Sequence, residues 1–298
     1  MKRRRGALFM PGNNPGMLTG SVTLGADAVI FDLEDSVAVR EKQAARILAR
    51  NALLALDRRG VEIMVRINSL DSPFWEDDVD AAVTGAADAL VVPKCEHPRD
   101  VLRVAEHVAA CKDRRGVTAN IPLLPLLETA LGVEQAFAVA TAHPSIEALL
   151  FGGEDLATDL GTRRTKEGTE LAYGRARVVM AAKAAKLQAL DTVFTDTDDL
   201  EGLEQDALHG RLLGYDGKTM ISPRHVAIIN RVFQPSAEDV AWAGRVLAAA
   251  RVASREGKGA VSLDGKMIDM PIIIRARRIM LQSGLSATSG EEEYSHDA

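Results

Sequence analysis

One pattern constrains the fold of this 298-residue chain more than any other. A short apolar run followed by a segment rich in alanine, leucine, arginine and glutamate recurs eight times. The runs occupy residues 7–11, 28–35, 63–68, 89–94, 121–128, 146–155, 192–196 and 217–222, the last interrupted by glycine and lysine. Near-continuous apolar runs suit parallel strands covered on both faces. Segments such as 41–56, 99–112, 133–142 and 168–189 have the composition of the helices that would cover them. Eight strand–helix alternations predict an α/β fold, a (β/α)8 TIM barrel. The 47% hydrophobic content is enough for the core it requires.

Residues 1–230 are expected to form the barrel. Residues 231–285 exceed what eight units need and are expected to be a helical extension or lid, capping the barrel or packing on a neighbouring subunit. In it, helices over 236–256 and 271–281 flank a glycine-rich loop at 257–265. The segment 286–298, with Glu291, Glu292 and Glu293 in a row, is expected to be an acidic disordered tail.

Composition removes several classes. A net charge of −6 with 4% aromatic residues disfavours a nucleic-acid binder. Two cysteines, Cys95 and Cys111, support neither a disulfide framework nor a multi-cysteine metal site. Apolar stretches are too short for a membrane span, and the run after the basic residues 2–5 is too short for a secretory signal, so a cytoplasmic enzyme is expected. No G-x-S-x-G element is present, and the six histidines show no metal-ligand spacing and are read as surface or structural.

Ionisable residues cluster at the ends of the second to sixth runs: Asp32, Glu34 and Asp35, then Arg66, Lys94, Glu128, and Glu154 with Asp155. In a barrel these ends converge on one mouth. Six carboxylates against two cations repel one another unless a cation sits among them, and oxygen-only donors favour Mg²⁺ or Mn²⁺ over Zn²⁺. Glu128 and Asp155, on adjacent strands, are the preferred metal ligands. Any one of these acids alone also suits a helix cap, and Glu34 suits an internal ion pair. The glycines before Glu154 open a strand-to-helix turn whose amides from Gly153 onward can take a substrate carboxylate. Arg3, Arg4 and Arg5 with the loop 11–16 supply cations and flexible amides near the predicted mouth that suit phosphate groups, although a basic amino terminus is more often just solvated; Arg5 and Lys94 are the better candidates because they lie beside strands.

Seven motifs carry a family resemblance: Arg5-Gly6-Ala7-Leu8-Phe9-Met10-Pro11-Gly12, Phe31-Asp32-Leu33-Glu34-Asp35-Ser36, Val65-Arg66-Ile67-Asn68, Val92-Pro93-Lys94, Glu128-Thr129, Gly152-Gly153-Glu154-Asp155 and Tyr215-Asp216-Gly217-Lys218. With the late segment Gly265-Lys266-Met267-Ile268-Asp269-Met270-Pro271, the chain resembles the citrate lyase beta subunit family, related to malyl-CoA and citramalyl-CoA lyases. The resemblance implies a Mg²⁺-dependent carbon–carbon lyase that cleaves citryl-CoA or citryl-ACP to acetyl thioester and oxaloacetate by a retro-Claisen route. It implies metal ligands at Glu128 and Asp155, a polarising arginine at Arg66 and a catalytic aspartate at Asp269, which in relatives comes from a neighbouring subunit. Glu34 and Asp35 complete the catalytic set; Arg66, Glu128, Gly153, Glu154, Arg5 and Lys94 complete the substrate-binding set. The implied partners are coenzyme A or an acyl-carrier thioester, citrate lyase alpha and acyl carrier subunits, and further copies of the chain in a trimer or hexamer.

Three alternatives stand beside this reading. Citramalyl-CoA or malyl-CoA is the nearer substrate rival. Barrel aldolases of 2-keto-3-deoxy sugar acids resemble a pattern with histidine after the second-strand glutamate, where this chain has Asp35. A non-catalytic thioester-binding or assembly subunit is the reading from another class.

Overall fold

The computed structural model describes residues 2–255 and 261–284. Eight parallel strands close into a barrel in chain order: β1 (Gly6–Pro11), β2 (Ala28–Asp32), β3 (Glu62–Arg66), β4 (Ala89–Val92), β5 (Leu123–Leu127), β6 (Ala148–Phe151), β7 (Gln188–Asp191) and β8 (Gly217–Met220). The ring closes where β1 pairs with β2 on one side and β8 on the other. Alternate residues point inward, so Ala7, Ile30, Met64, Val91, Leu124, Leu150 and Leu190 fill the interior. The opposite set, including Leu8, Val29, Ile63, Leu90 and Leu149, packs against the surrounding helices as the larger core.

Helices fall where alanine-rich amphipathic segments and punctuation coincide. The helix Pro98–Arg115 shows both ends: proline in its first turn, the Asp100 carboxylate accepting from the His97 backbone N–H at 2.8 Å, and Gly116 closing it at φ 65°. The expected helix over 133–142 is two short ones, Ala130–Glu134 and Ala136–Ala140.

The seventh strand corrects the expectation. It is Gln188–Asp191, ahead of residues 192–196, and the helix before it, Ala172–Ala184, stops short of position 189. Lys186 at φ 60° turns the chain, and the register with β6 (Ala148↔Gln188) and β8 (Asp191↔Lys218) fixes the strand. Its two polar ends hide it from a search for apolar runs. Gln188 points inward to Arg4, whereas Asp191 points outward to Arg175 and Lys218.

Below the first strand, Arg4 is 2% exposed and reaches the starts of three strands. It donates to both oxygens of Glu62 (2.6 and 2.8 Å), to Glu147 (2.6 Å) and to Gln188 (2.8 Å). These bonds plug the amino-terminal end of the barrel.

The barrel belongs to a compact unit ending at Phe233, and a second unit begins at Gln234. In the second, the helices Ala237–Arg255 and Met270–Gln282 pack together around Ala243, Val246, Ile268 and Ala276. The loop expected at 257–265 holds instead, from Val261 on, an antiparallel hairpin of β9 (Val261–Leu263) and β10 (Lys266–Ile268). Its turn residues Asp264 (φ 51°) and Gly265 (φ 74°) both adopt the left-handed region that a tight hairpin demands. The acidic tail expected at 286–298 lies outside the described residues. Among the described residues no helix is long and apolar enough to cross a membrane.

Candidate active site

The inward alternation that fills the barrel also delivers its functional groups. Continued past the last apolar layer, it brings Asp32, Arg66 and Glu128 to the carboxyl-terminal mouth, where they line a cavity of about 450 Å³. Arg66 is 8% exposed, lies 4.9 Å over the Phe9 ring and is gripped by Asp32, with Nε to Oδ1 and Nη2 to Oδ2 both at 2.7 Å. Its remaining nitrogen, Nη1, lies 3.3 Å from both Glu34 and Asp35. Burial works against charge at both ends of the Asp32 pair, yet the mutual attraction wins: Asp32 is held below the usual carboxylate range and Arg66 is pushed up.

Glu128 is as confined as Asp32, at 2% exposure. Burial first, then the charge of Glu34, push its carboxyl well above the usual range; Arg66 pulls it back and Asp155 adds to the rise. Its Oε1 accepts the Lys94 backbone N–H at 2.9 Å, and Lys94 adopts φ 49° to present that group. Gly152 has no side chain for a steric reason, since a Cβ there would lie 2.5 Å from Glu128 Cβ and 2.6 Å from its Oε2. Asp155 follows in the first turn of the helix Gly153–Asp159.

These two carboxylates fit a divalent cation. Glu128 directly follows β5 and Asp155 lies in the helix turn after β6, two strands whose ends are neighbours because Leu127 pairs with Phe151, and the raised Glu128 carboxyl marks a place where negative charge is crowded. Among the described residues no group of three or more histidines, cysteines or acids is arranged to hold a metal. A two-carboxylate set leaves most of the coordination shell open, as Mg²⁺ requires when it keeps water and substrate oxygens.

Other expected residues are placed differently. Arg5 lies before β1, at the opposite end of the barrel from the mouth, and is bound to Asp27 through Nε at 2.8 Å; Arg3 joins the same carboxylate and Arg4 belongs to the plug. Because all eight strands run one way, residues preceding β1 cannot lie at the carboxyl-terminal face. Lys94 spends its ammonium on Glu34 at 2.9 Å, with Asp35 at 3.8 Å, instead of standing free for a phosphate. Glu34 is raised by burial, against the pull of Arg66 and Lys94, and its Oε2 is buried without a hydrogen bond. Asp35 lines the cavity at 54% side-chain exposure. Glu154 also lines it but is paired with Arg164 at 2.7 Å. The Gly153 N–H is taken by Thr192 Oγ1 at 2.8 Å and so is closed to a substrate carboxylate. Asp269 belongs to the second unit, where it precedes the helix Met270–Gln282 with Oδ1 buried and without a hydrogen bond.

Sequence reasoning missed Thr192. The residue is buried at the end of β7 and lines the cavity. It shares the inward alternation with Gln188 and Leu190, a signal hidden because the strand was expected to start at this residue.

Comparison with known proteins gives the family to which this barrel is similar. A family model described as HpcH/HpaI aldolase/citrate lyase matches residues 5–223. Citrate lyase subunit beta of Escherichia coli (strain K12) is 40% identical over 294 residues, covering 97% of this chain and 96% of that protein. A (3S)-malyl-CoA thioesterase of Cereibacter sphaeroides is 36% identical over 286 residues, covering 96% of each. Among solved structures, protein CitE from Mycobacterium tuberculosis, in complex with magnesium, acetoacetate and coenzyme A, superposes with a TM-score of 0.76 at 31% identity, covering 94% of this chain and 97% of that one.

Proposed function

The chain belongs to the HpcH/HpaI aldolase/citrate lyase family, and from that membership we propose that it is a Mg²⁺-dependent carbon–carbon lyase cleaving a 3-hydroxy-acyl thioester, citryl thioester first, to acetyl thioester and oxaloacetate. The observation that carries the proposal is that Glu128, just past β5, and Asp155, in the helix turn after the neighbouring β6, line the same cavity as Arg66.

Glu128 and Asp155 would hold Mg²⁺, which would supply a Lewis acid that makes the substrate's hydroxyl more acidic. Asp35, the acid beside Arg66 that lines the cavity, is assigned the hydroxyl proton. As the hydroxyl oxygen becomes the new carbonyl, the carbon–carbon bond breaks and its electron pair passes to the acetyl thioester as an enolate. Arg66, permanently charged and locked by Asp32, stabilises charge near the breaking bond without having to reorient. Asp269 is assigned the final proton, delivered to the enolate carbon; this role rests on the family resemblance. Lys94, paired with Glu34, also comes to 3.8 Å of Asp35 and so offsets part of its charge.

A second reading keeps the chemistry and changes the acid. A citramalyl-CoA lyase relative favours citramalyl-CoA as that alternative, and the malyl-CoA thioesterase relative, whose reaction is on the thioester and so bears on the acid alone, favours malyl-CoA. A coenzyme A thioester is the proposed carrier, because the CitE relative was solved with coenzyme A. An acyl-carrier thioester and citrate lyase alpha and acyl carrier subunits are the proposed partners if the chain works in a complex, and a homo-oligomer is the proposed assembly.

The test is Mg²⁺-dependent release of oxaloacetate from citryl-CoA by the purified chain, with malyl-CoA and citramalyl-CoA in parallel. Preference for citryl-CoA supports the first reading, and preference for another thioester replaces the acid. No turnover of any of the three by the folded chain would refute a self-sufficient lyase on free coenzyme A thioesters.

A further inference from the structure

Among the described residues the cavity is lined by five carboxylates, Asp32, Asp35, Glu128, Glu154 and Asp155, and by one cation, Arg66, which Asp32 already holds at two nitrogens. A substrate that brings its own carboxylate into such a place needs neutral donors with nothing to give up. Three hydroxyl side chains line the cavity. Thr219 Oγ1 donates to the Asp191 carbonyl at 2.9 Å, and Ser36 Oγ lies 3.5 Å from the Asp32 carbonyl. Thr192 differs from both. Its oxygen accepts the Gly153 N–H at 2.8 Å, and among the described residues its own proton has no acceptor.

A threonine hydroxyl has one proton and two lone pairs, so an N–H on one lone pair leaves the proton free to turn toward a further acceptor. Thr192 is 2% exposed, and just past β7 it continues the inward alternation of Gln188 and Leu190, which places its side chain on the cavity. It also touches the turn that leads to Asp155: a Cβ at Gly153 would lie 2.9 Å from Thr192 Oγ1. We infer that Thr192 is a substrate-binding residue, donating its hydroxyl proton to a carboxylate oxygen of the 2-oxo-acid half of the substrate. The inference rests on the lyase reading, because it is the metal pair that brings that half of the thioester to this side of the cavity.

The experiment compares the full chain with Thr192→Val, which keeps the shape and loses the hydroxyl, and Thr192→Ser, which keeps the hydroxyl. Oxaloacetate, pyruvate and glyoxylate binding is measured by calorimetry in saturating Mg²⁺, and Mg²⁺ binding is measured separately without acid. A hydrogen bond to a charged group corresponds to a loss on the order of 10- to 100-fold. Thr192→Val is expected to weaken the acid by that factor and Thr192→Ser by no more than about threefold, with Mg²⁺ affinity alone changed less than twofold. Should Thr192→Val fail to fold, the inference is read from Thr192→Ala against Thr192→Ser in the same assay. Equal acid affinity in the valine variant and the parent overturns the assignment. So does a loss of acid that only follows a loss of Mg²⁺, since that would be a purely structural effect through Gly153. If the parent binds none of the three acids in Mg²⁺, the lyase reading falls, and the assignment with it.

Discussion

Buried to 2% exposure, with one oxygen on the Lys94 amide and its other beside Gly152, Glu128 has little freedom to leave the cavity that Asp155 also lines. Glu128→Gln and Asp155→Asn each remove one of the two charges that attract the metal. Each is expected to lower both turnover and Mg²⁺ affinity by more than about 100-fold while leaving the thermal transition in place; calorimetric metal titration checks this, and an unchanged affinity removes that residue from the site. Because burial and Glu34 raise the Glu128 carboxyl, its proton competes with the cation. Mg²⁺ affinity should therefore rise with pH as Glu128 ionises, with proton release on binding that differs between buffers of different ionisation heat. The place of Glu128 was legible in the sequence because an acid directly after an apolar run has one place to go in a barrel, and that of Asp155 because two glycines turn the sixth run into a helix at the same face. Arg5 was misread for a local reason: a basic residue beside a strand gives no sign of which strand end it occupies unless chain direction is followed, and Asp27, its true partner, precedes β2 at the same end. Lys94 was found, but its ammonium is occupied by Glu34.

The strands were legible wherever both faces are apolar. β7 was not, because Gln188 and Asp191 are buried polar residues satisfied by Arg4, Arg175 and Lys218, contacts that reach as far as 184 positions along the chain. Shifting that strand put Thr192 at its start instead of its end and hid a cavity residue. The hairpin of β9 and β10 shows the converse. Its Asp264-Gly265 turn is a strong local signal, but glycine content there suggested a loop. At the β6-to-helix turn, local geometry and site are joined in Gly152, whose φ of −107° any residue can adopt, so only space excludes a side chain. Gly152→Ala is expected to cost about 1–3 kcal/mol by overpacking and also to weaken Mg²⁺, because the methyl pushes directly on Glu128. Gly20→Ala, whose added methyl meets nothing within 4 Å, is the matched control and should leave Mg²⁺ affinity and the thermal midpoint nearly unchanged. A Gly152→Ala protein with full metal affinity would separate the turn from the site.

Across the barrel, charge is divided by purpose. At the mouth it is crowded and acidic, whereas at the amino-terminal end it is matched into the plug of Arg4, Glu62, Glu147 and Gln188. The plug ties the starts of β3 and β7 to the segment before β1, so its effect is on the whole closed sheet. Burial alone would raise the Glu62 carboxyl, but the hydrogen bonds and charge of Arg4, with help from Lys2, hold it below its ordinary value. A carboxylate with a depressed folded pKa contributes stability that is complete above its unfolded value of about 4.3 and is lost as pH falls through the lower folded value. Arg4→Met removes the main cation and leaves Glu62 buried beside the half-exposed Lys2. Desolvation then dominates, the folded pKa moves above the unfolded one, and the sign reverses: ionised Glu62 becomes a cost at neutral pH, relieved as it takes up a proton on acidification. The variant is expected to lose about 3–5 kcal/mol at pH 7, as a buried pair broken from one side does. Its deficit against the parent should shrink when urea unfolding is repeated at pH 5. A deficit that stays constant between the two conditions would mean that Arg4 holds the barrel end by packing and neutral hydrogen bonds, with Glu62 not its decisive partner.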